Sequence, residues 1–260
     1  MTILFIGDIV GKPGRRCVQK ALPQLCAELK PDVIVANIEN LAHGKGITES
    51  TFAEVKNVGI DVYTTGNHVW DKPEGIELLK DQKLPIVRPA NYPKGVPGKG
   101  VYMIEKDGVR VSVLSLMGRV FMRQHLDDPF RIFDEIYEQV KSSDVIIVDF
   151  HGEATSEKCA FGWHAAGRAT LVVGTHTHIP TADARILTGT HTGYVTDVGM
   201  AGSRDGILGF EKEPILSAFL TQLPVKHKIM KSEENSVFNS IFAEITNHQT
   251  TSIRRVDLVI

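Results

Sequence analysis

Leu171-Val172-Val173-Gly174-Thr175-His176-Thr177-His178 runs from an apolar, strand-like stretch directly into two imidazoles set two residues apart. Four other stretches end in the same way. Gly7-Asp8 follows Ile3-Leu4-Phe5-Ile6, Glu39-Asn40 follows Val33-Ile34-Val35-Ala36, Asn67-His68 follows Val62-Tyr63-Thr64-Thr65, and His151 comes after the run Val145 to Val148. Open α/β sheets build their sites beyond the carboxyl ends of strands. Five runs that finish in nitrogen or oxygen donors therefore predict an α/β fold with a ligand-rich centre at one edge.

Helical patterns fill the intervals. After Gly14, the residues Val18, Leu22, Leu25, Cys26 and Leu29 recur at helical spacing, and Pro31 stops the run before Val33 begins the next strand. A second stripe, Phe130, Phe133, Ile136, Tyr137 and Val140, opens on Asp128-Pro129. Pro23 inside the first helix predicts a kink. The Pro- and Gly-rich stretch from Arg88 to Gly100 reads as a loop long enough to cover a site. Val237 to Ile245 and Ser252 to Val259 read as two strands that close the fold.

The 260 residues carry no Gly-, Ser- or Pro-rich linker, so a single domain over residues 1–260 is expected. The net charge of -2 and the lack of a long Lys or Arg run disfavour polymeric nucleic acid as an obligate partner, and an anionic membrane surface likewise. No apolar run approaches the roughly 20 residues of a transmembrane helix, and no basic leader precedes the first strand; a cytoplasmic protein is expected. Cys17, Cys26 and Cys159 are odd in number and lack C-x-x-C spacing, which speaks against a disulfide framework and a structural zinc site. Cys26 is read as core packing.

Taken singly, each donor has a structural reading: Asp8 as a helix cap, Glu39-Asn40 as turn residues, His151 as a hydrogen-bonded core histidine. His176 and His178 are stronger, because side chains two apart on extended backbone share a face. Together, three His, two carboxylates and two Asn suit two divalent ions rather than one. A carboxylate can bridge, and imidazole favours Zn, Fe, Mn or Co over Ca or Mg.

At these residues the sequence resembles the calcineurin-like metallophosphoesterases, whose blocks read Asp-x-His, Gly-Asp-x-x-Asp, Gly-Asn-His, His and Gly-His-x-His. Two departures stand out: Val10 where the general family has a ligating His, and Glu39 where it has the bridging Asp. Gly7-Asp8-Ile9-Val10-Gly11, Glu39-Asn40, Gly66 to Asp71, Arg88 to Pro93, Glu153 to Lys158 and Asp197 to Met200 are similar, in order, to one branch, the YmdB-like phosphodiesterases. Gly152 and the stretch Trp163 to Ala166 are atypical of it.

The resemblance implies a four-layer α/β/β/α sandwich and a dinuclear centre of two divalent or mixed-valence transition-metal ions, with iron expected and manganese or zinc as alternatives. Asp8, Glu39, Asn40 and His178 would hold one ion, and Glu39, Asn67, His151 and His176 the other, with Glu39 bridging. Two ions roughly 3.5 to 4 Å apart generate a hydroxide at neutral pH and clamp phosphoryl oxygens. His68, assigned to neither ion, is the expected proton donor to the leaving alkoxide, with orientation of a carboxylate as its alternative role. The implied reaction is hydrolysis of 2',3'-cyclic nucleotides or related small phosphodiesters. A phosphomonoesterase and a non-catalytic nucleotide-binding signalling protein are the alternatives. A homo-oligomer is expected from the resemblance alone. Lys45, Arg119 and His191 are weaker candidates for phosphate or base, and Trp70 and Tyr92 read as core or rim aromatics before base-stacking ones.

Overall fold

In the computed structural model, which describes residues 1–260, fourteen strands and six helices form two facing sheets. The first sheet contains β1 (Thr2–Ile6), β2 (Asp8–Ile9), β3 (Val33–Asn37), β4 (Val62–Thr64), β5 (Ile86–Val87), β12 (Met200–Ser203), β13 (Ser236–Thr246) and β14 (Gln249–Val259). The second contains β6 (Val101–Lys106), β7 (Val109–Met117), β8 (Val145–His151), β9 (Leu171–Thr175), β10 (Arg185–Ile186) and β11 (Gly193–Val195). The helices are α1 (Gly11–Leu29), α2 (Glu49–Lys56), α3 (Pro73–Lys80), α4 (Pro129–Val140), α5 (Thr155–Ala165) and α6 (Lys212–Thr221).

Side-chain alternation explains the layering. Along β1, Ile3 and Phe5 face one way and join Val33, Val35, Val111, Ile147 and Val173 in a core between the sheets. Leu4 and Ile6 face the other way, against Val18, Leu22 and Leu25 of α1. On the second sheet, Leu114, Leu116 and Val148 pack outward on Phe133 and Ile136 of α4 and Phe161 of α5. Three apolar cores thus separate four layers, helix, sheet, sheet and helix. Strands buried on both faces read as continuous apolar runs, which is why their sequence signal is clear.

β1, β3, β4 and β5 run parallel, as do β7, β8, β9 and β11. The carboxyl ends of the two parallel sets meet on one edge of the sandwich.

Both strands expected near the end of the chain form, as β14 and, inside the sheet, β13. β14 covers one side of it, while β1 and β12 share the other, so the strand lies inside the sheet. The Arg88–Gly100 stretch is a loop, as expected. Bridges from Val87 to Lys99 and from Pro89 to Ser115, together with Asn91 Nδ2 donating to the Met117 carbonyl at 2.8 Å, make it the crossing between the sheets. α1 runs from Gly11 to Leu29 with Pro23 inside it, the ring on the exposed face. That helix also begins earlier than its apolar stripe, directly after Val10.

Candidate active site

Asp8 opens β2 just past β1, the turn after β3 carries Glu39 and Asn40, and the turn after β4 carries Asn67 and His68. From the facing sheet, β8 ends on His151 and the turn after β9 carries His176 and His178. Asp8, Glu39, Asn40, His151 and His178 are all buried.

Around His151 Nε2 lie Asn67 Oδ1 at 2.8 Å, His176 Nδ1 at 3.1 Å and Glu39 Oε1 at 3.2 Å. The other ring nitrogen fixes the tautomer. Thr175 Oγ1 donates its one proton to Asp149 Oδ1 at 2.6 Å, so at 2.8 Å it accepts from His151 Nδ1. Nε2 is left among oxygen and nitrogen acceptors. Acceptors this close need a proton or a cation between them, and ligands roughly 2.0–2.2 Å from a common ion lie about 3 Å apart. Glu39, His151 and His176 present ligand atoms all within 4.8 Å of one another. The close approach depends on Gly66, where a Cβ would meet the His151 ring at 2.2 Å.

Two of the buried oxygens without a hydrogen-bond partner are Asp8 Oδ1 and Asn40 Oδ1. Their companions are occupied. Asp8 Oδ2 accepts from the His176 amide at 3.1 Å, and Asn40 Nδ2 donates to the Gly44 carbonyl at 2.9 Å. A buried acceptor left bare is costly, so these two oxygens mark room for a cation. His178 Nδ1 donates to the Leu208 carbonyl at 3.0 Å, which leaves Nε2 as a free lone pair.

Electrostatics agree with that reading. Burial raises the Asp8 carboxyl well above its ordinary range, and Asp197 and Glu39 add to the rise. Burial would raise Glu39 too, but His151 lies against it and holds the carboxyl below its usual value; Glu39 in turn outweighs burial and raises His151. His176 is pushed down to about 3 by burial and by His151, and burial lowers His178. Asp8 thus favours an added positive charge, while His176 and His178 are kept neutral with lone pairs to offer.

The two histidines of the β9 turn converge by another route than the one expected. The strand ends at Thr175, and His176 and His178 take φ of 100° and 61°, so the pair does not sit on extended backbone. Non-glycine residues seldom adopt this region. Asp197 imposes it: its Oδ2 accepts from Thr177 Oγ1 at 2.7 Å and from Lys158 Nζ at 2.6 Å, in an ion pair with both side chains 1% exposed.

His68 stands at the mouth. Its amide donates to Glu39 Oε2 at 3.0 Å, its Nδ1 lies 2.8 Å from Asp71 Oδ2, and its ring lines a cleft of about 360 Å³ with Lys45, Asn67 and His176. Residues Phe121 to Gln124 form the facing lip. Arg119 is paired with Asp128 at 2.6 Å and does not line the cleft. His191 lies beside Thr170, at the opposite end of β9 from the site. Trp70 and Tyr92 pack edge to face, 5.4 Å apart, against the helix-side core.

Sequence reasoning gave no role to Asp149, Lys158 or Asp197. Asp149 had a signal, a charge in the middle of an apolar strand and two residues before His151. The lip and the Leu208 carbonyl had none, since loop residues reach the site without periodic spacing.

Residues 4–256 match the model of the YmdB-like protein family. The chain belongs to the YmdB-like family. It is 46% identical over 255 residues to the 2',3'-cyclic-nucleotide 2'-phosphodiesterase of Bacillus subtilis strain 168, across 98% of this chain and 95% of that one. A crystal structure described as a novel phosphatase from Mycoplasma pneumoniae superposes with a TM-score of 0.93 at 30% identity, covering 100% of this chain and 93% of the other. A hypothetical protein from Thermus thermophilus gives the same TM-score at 39% identity, with 100% and 99% covered. The four layers of this YmdB-like chain are the metallophosphoesterase fold, and the chain is a hydrolase of that class. No helix is long and apolar enough to cross a membrane.

Proposed function

We propose that this YmdB-like enzyme opens 2',3'-cyclic nucleotides, or closely related small phosphodiesters, at a centre of two transition-metal ions. The observation that carries the reading is the buried cluster of Glu39, His151 and His176, together with Asp8 Oδ1 and Asn40 Oδ1 buried and unpartnered. Asp8, Glu39, Asn40 and His178 would hold one ion; Glu39, Asn67, His151 and His176 would hold the other. Iron is the expected metal, with manganese or zinc as alternatives. When bound, the ions supply positive charge to the phosphoryl oxygens and activate water for in-line attack. The activity named for the Bacillus relative, and the identity spread over nearly the whole chain, support the substrate class.

The chain's own groups do the rest. The Asp149–Thr175 pair keeps a proton on His151 Nδ1, so that Nε2 stays available as a ligand. Asp71 holds His68 by Nδ1, which leaves Nε2 for the oxygen that departs from phosphorus. That oxygen is an alkoxide and needs a proton as it leaves. Lys45 at the rim adds charge complementary to the phosphate. A protein that only bound a nucleotide would have no use for His68 at this place.

Metal analysis of purified wild type and Glu39→Gln, with turnover of 2',3'-cyclic, 3',5'-cyclic and monoester nucleotides, tests the reading. We expect two metals per wild-type chain, fewer in the variant, and hydrolysis strongest on the 2',3'-cyclic substrate. Turnover confined to monoesters would make the protein a phosphomonoesterase. A Glu39→Gln protein with full metal content and wild-type rate would overturn the bridging role.

A further inference from the structure

The reaction cleft opens sideways into two further hollows, and the walls they share are basic. Lys45 and Arg123 line both the cleft and a neighbouring hollow of about 520 Å³, where Lys72 joins them. Lys226 and His227 line that hollow and a third, of about 580 Å³, which adds Lys228 and Lys231. None of these five lysines, nor Arg123, has a carboxylate within ion-pair distance. Only at the far end does Lys12 meet an acid, Glu233 at 2.8 Å. Cations left unneutralised along one continuous groove are complementary to a polyanion.

The basic segment is anchored on the site. Ile229 packs so closely on Gly11 and Gly44 that a Cβ at either would meet it at 2.8 and 2.5 Å. The amides of those two glycines both donate to the Asn40 carbonyl, at 3.0 and 3.1 Å. Glu211 N donates to the Lys228 carbonyl at 2.7 Å and Met230 N to the Gly209 carbonyl at 3.0 Å. With Ile229 turned inward, Lys226 and Lys228 are exposed. Aromatic faces lie along the same track: Phe210 beside His227 with rings 5.9 Å apart, and Phe121, 83% exposed, on the cleft lip. Cations interleaved with aromatic faces are how proteins track a single nucleic-acid strand.

A cyclic mononucleotide has no use for the outer hollows. A 2',3'-cyclic phosphate also terminates an RNA strand when its 2'-hydroxyl has displaced the next nucleotide, and the strand must then leave the cleft through its 5'-oxygen, with one negative charge per residue. Resting on the phosphodiesterase reading above, we propose that the groove from Lys45 and Arg123 to Lys226 and Lys228 holds the 5'-ward phosphates of an oligoribonucleotide whose 2',3'-cyclic terminus occupies the cleft. Water's oxygen forms the new bond to phosphorus and the P–O2' bond breaks. One proton of that water goes to O2' and the other is released, leaving a 3'-phosphorylated strand. The cations come from separated segments, so neither the net charge of -2 nor a search for long basic runs reveals the groove.

The test compares pentauridylate ending in a 2',3'-cyclic phosphate with 2',3'-cyclic UMP, on wild type and on the Lys226→Ala/Lys228→Ala protein. Wild type should favour the pentamer by about tenfold in kcat/KM at 50 mM salt. For every two phosphates contacted, that preference should fall about sevenfold between 50 and 200 mM, as the single-strand salt slope requires. The double variant should lose the preference and keep its mononucleotide rate, and Lys226→Arg/Lys228→Arg should retain both. Fluorescence anisotropy of a labelled 3'-phosphorylated pentamer should show the same loss of binding in the alanine variant. Equal turnover of pentamer and mononucleotide by wild type, or unchanged pentamer binding by the alanine variant, would overturn the groove and leave the phosphodiesterase reading standing. If neither substrate is hydrolysed, the phosphodiesterase reading fails and takes this one with it.

Discussion

His68 and Asn67 are neighbours in sequence whose side chains have different partners. Asn67 offers an oxygen to the buried cluster, whereas His68 turns to the cleft and is held by Asp71. Because His68 is not assigned to an ion, His68→Ala should keep its metal content and lose roughly 10²- to 10⁴-fold in rate on a 2',3'-cyclic nucleotide. A p-nitrophenyl diester should suffer much less, since its leaving group departs without a proton. Equal losses on both substrates would indicate positioning of the phosphate instead, and loss of metal would make His68 a ligand. At this scale the donors were legible because each follows an apolar strand. Asp149 was not, although His151 depends on it through Thr175. Its role lies in contacts across three strands, from Asn37, Thr64 and Thr175, that a single sequence does not join.

At the scale of elements, the turn that carries Glu39 and Asn40 is held by two helices. Arg15 on α1 is buried, donates to the Leu41 carbonyl, and meets Glu54 on α2 through two bonds of 3.0 and 3.1 Å. The Arg15 hydrogen bonds hold the Glu54 carboxyl below its ordinary value. A lowered acid stabilises the fold above its unfolded pKa of about 4.3, and the contribution disappears as pH falls through the folded value. Glu54→Gln should therefore cost about 1 kcal/mol at pH 7, a modest sum because Glu54 is one-third exposed, and lower Tm by roughly 2–4 °C. Urea unfolding from pH 7 down to pH 3.5 should show the gap closing toward the acid end; a gap constant across that range would mean that packing, not charge, is lost. The helices and parallel strands were readable from period alone. The interior place of β13 and the crossing role of Arg88–Gly100 were not, because both are settled by pairing between segments far apart in the chain.

Over the whole molecule, the two sheets are joined by apolar packing along most of their length and by buried charge at one edge. Asp8, Glu39, Asp149 and Asp197 are all buried there, against the buried Lys158 and His151. Donors from both sheets meet at that edge, so an ion bound among them ties the layers together in the native state and has no comparable site in the unfolded chain. Binding of that kind stabilises by mass action, about 2.7 kcal/mol at a hundredfold excess over Kd, which for a chain of this size is roughly 5–10 °C in Tm. Scanning calorimetry with manganese against chelator should show such a rise for wild type and for His68→Ala, whose ligands are intact. Glu39→Gln should show little of it, since the amide replaces the carboxylate proposed to bridge the two ions. An equal rise in all three proteins would locate the stabilising ion elsewhere on the surface and detach the strand-end cluster from metal binding altogether.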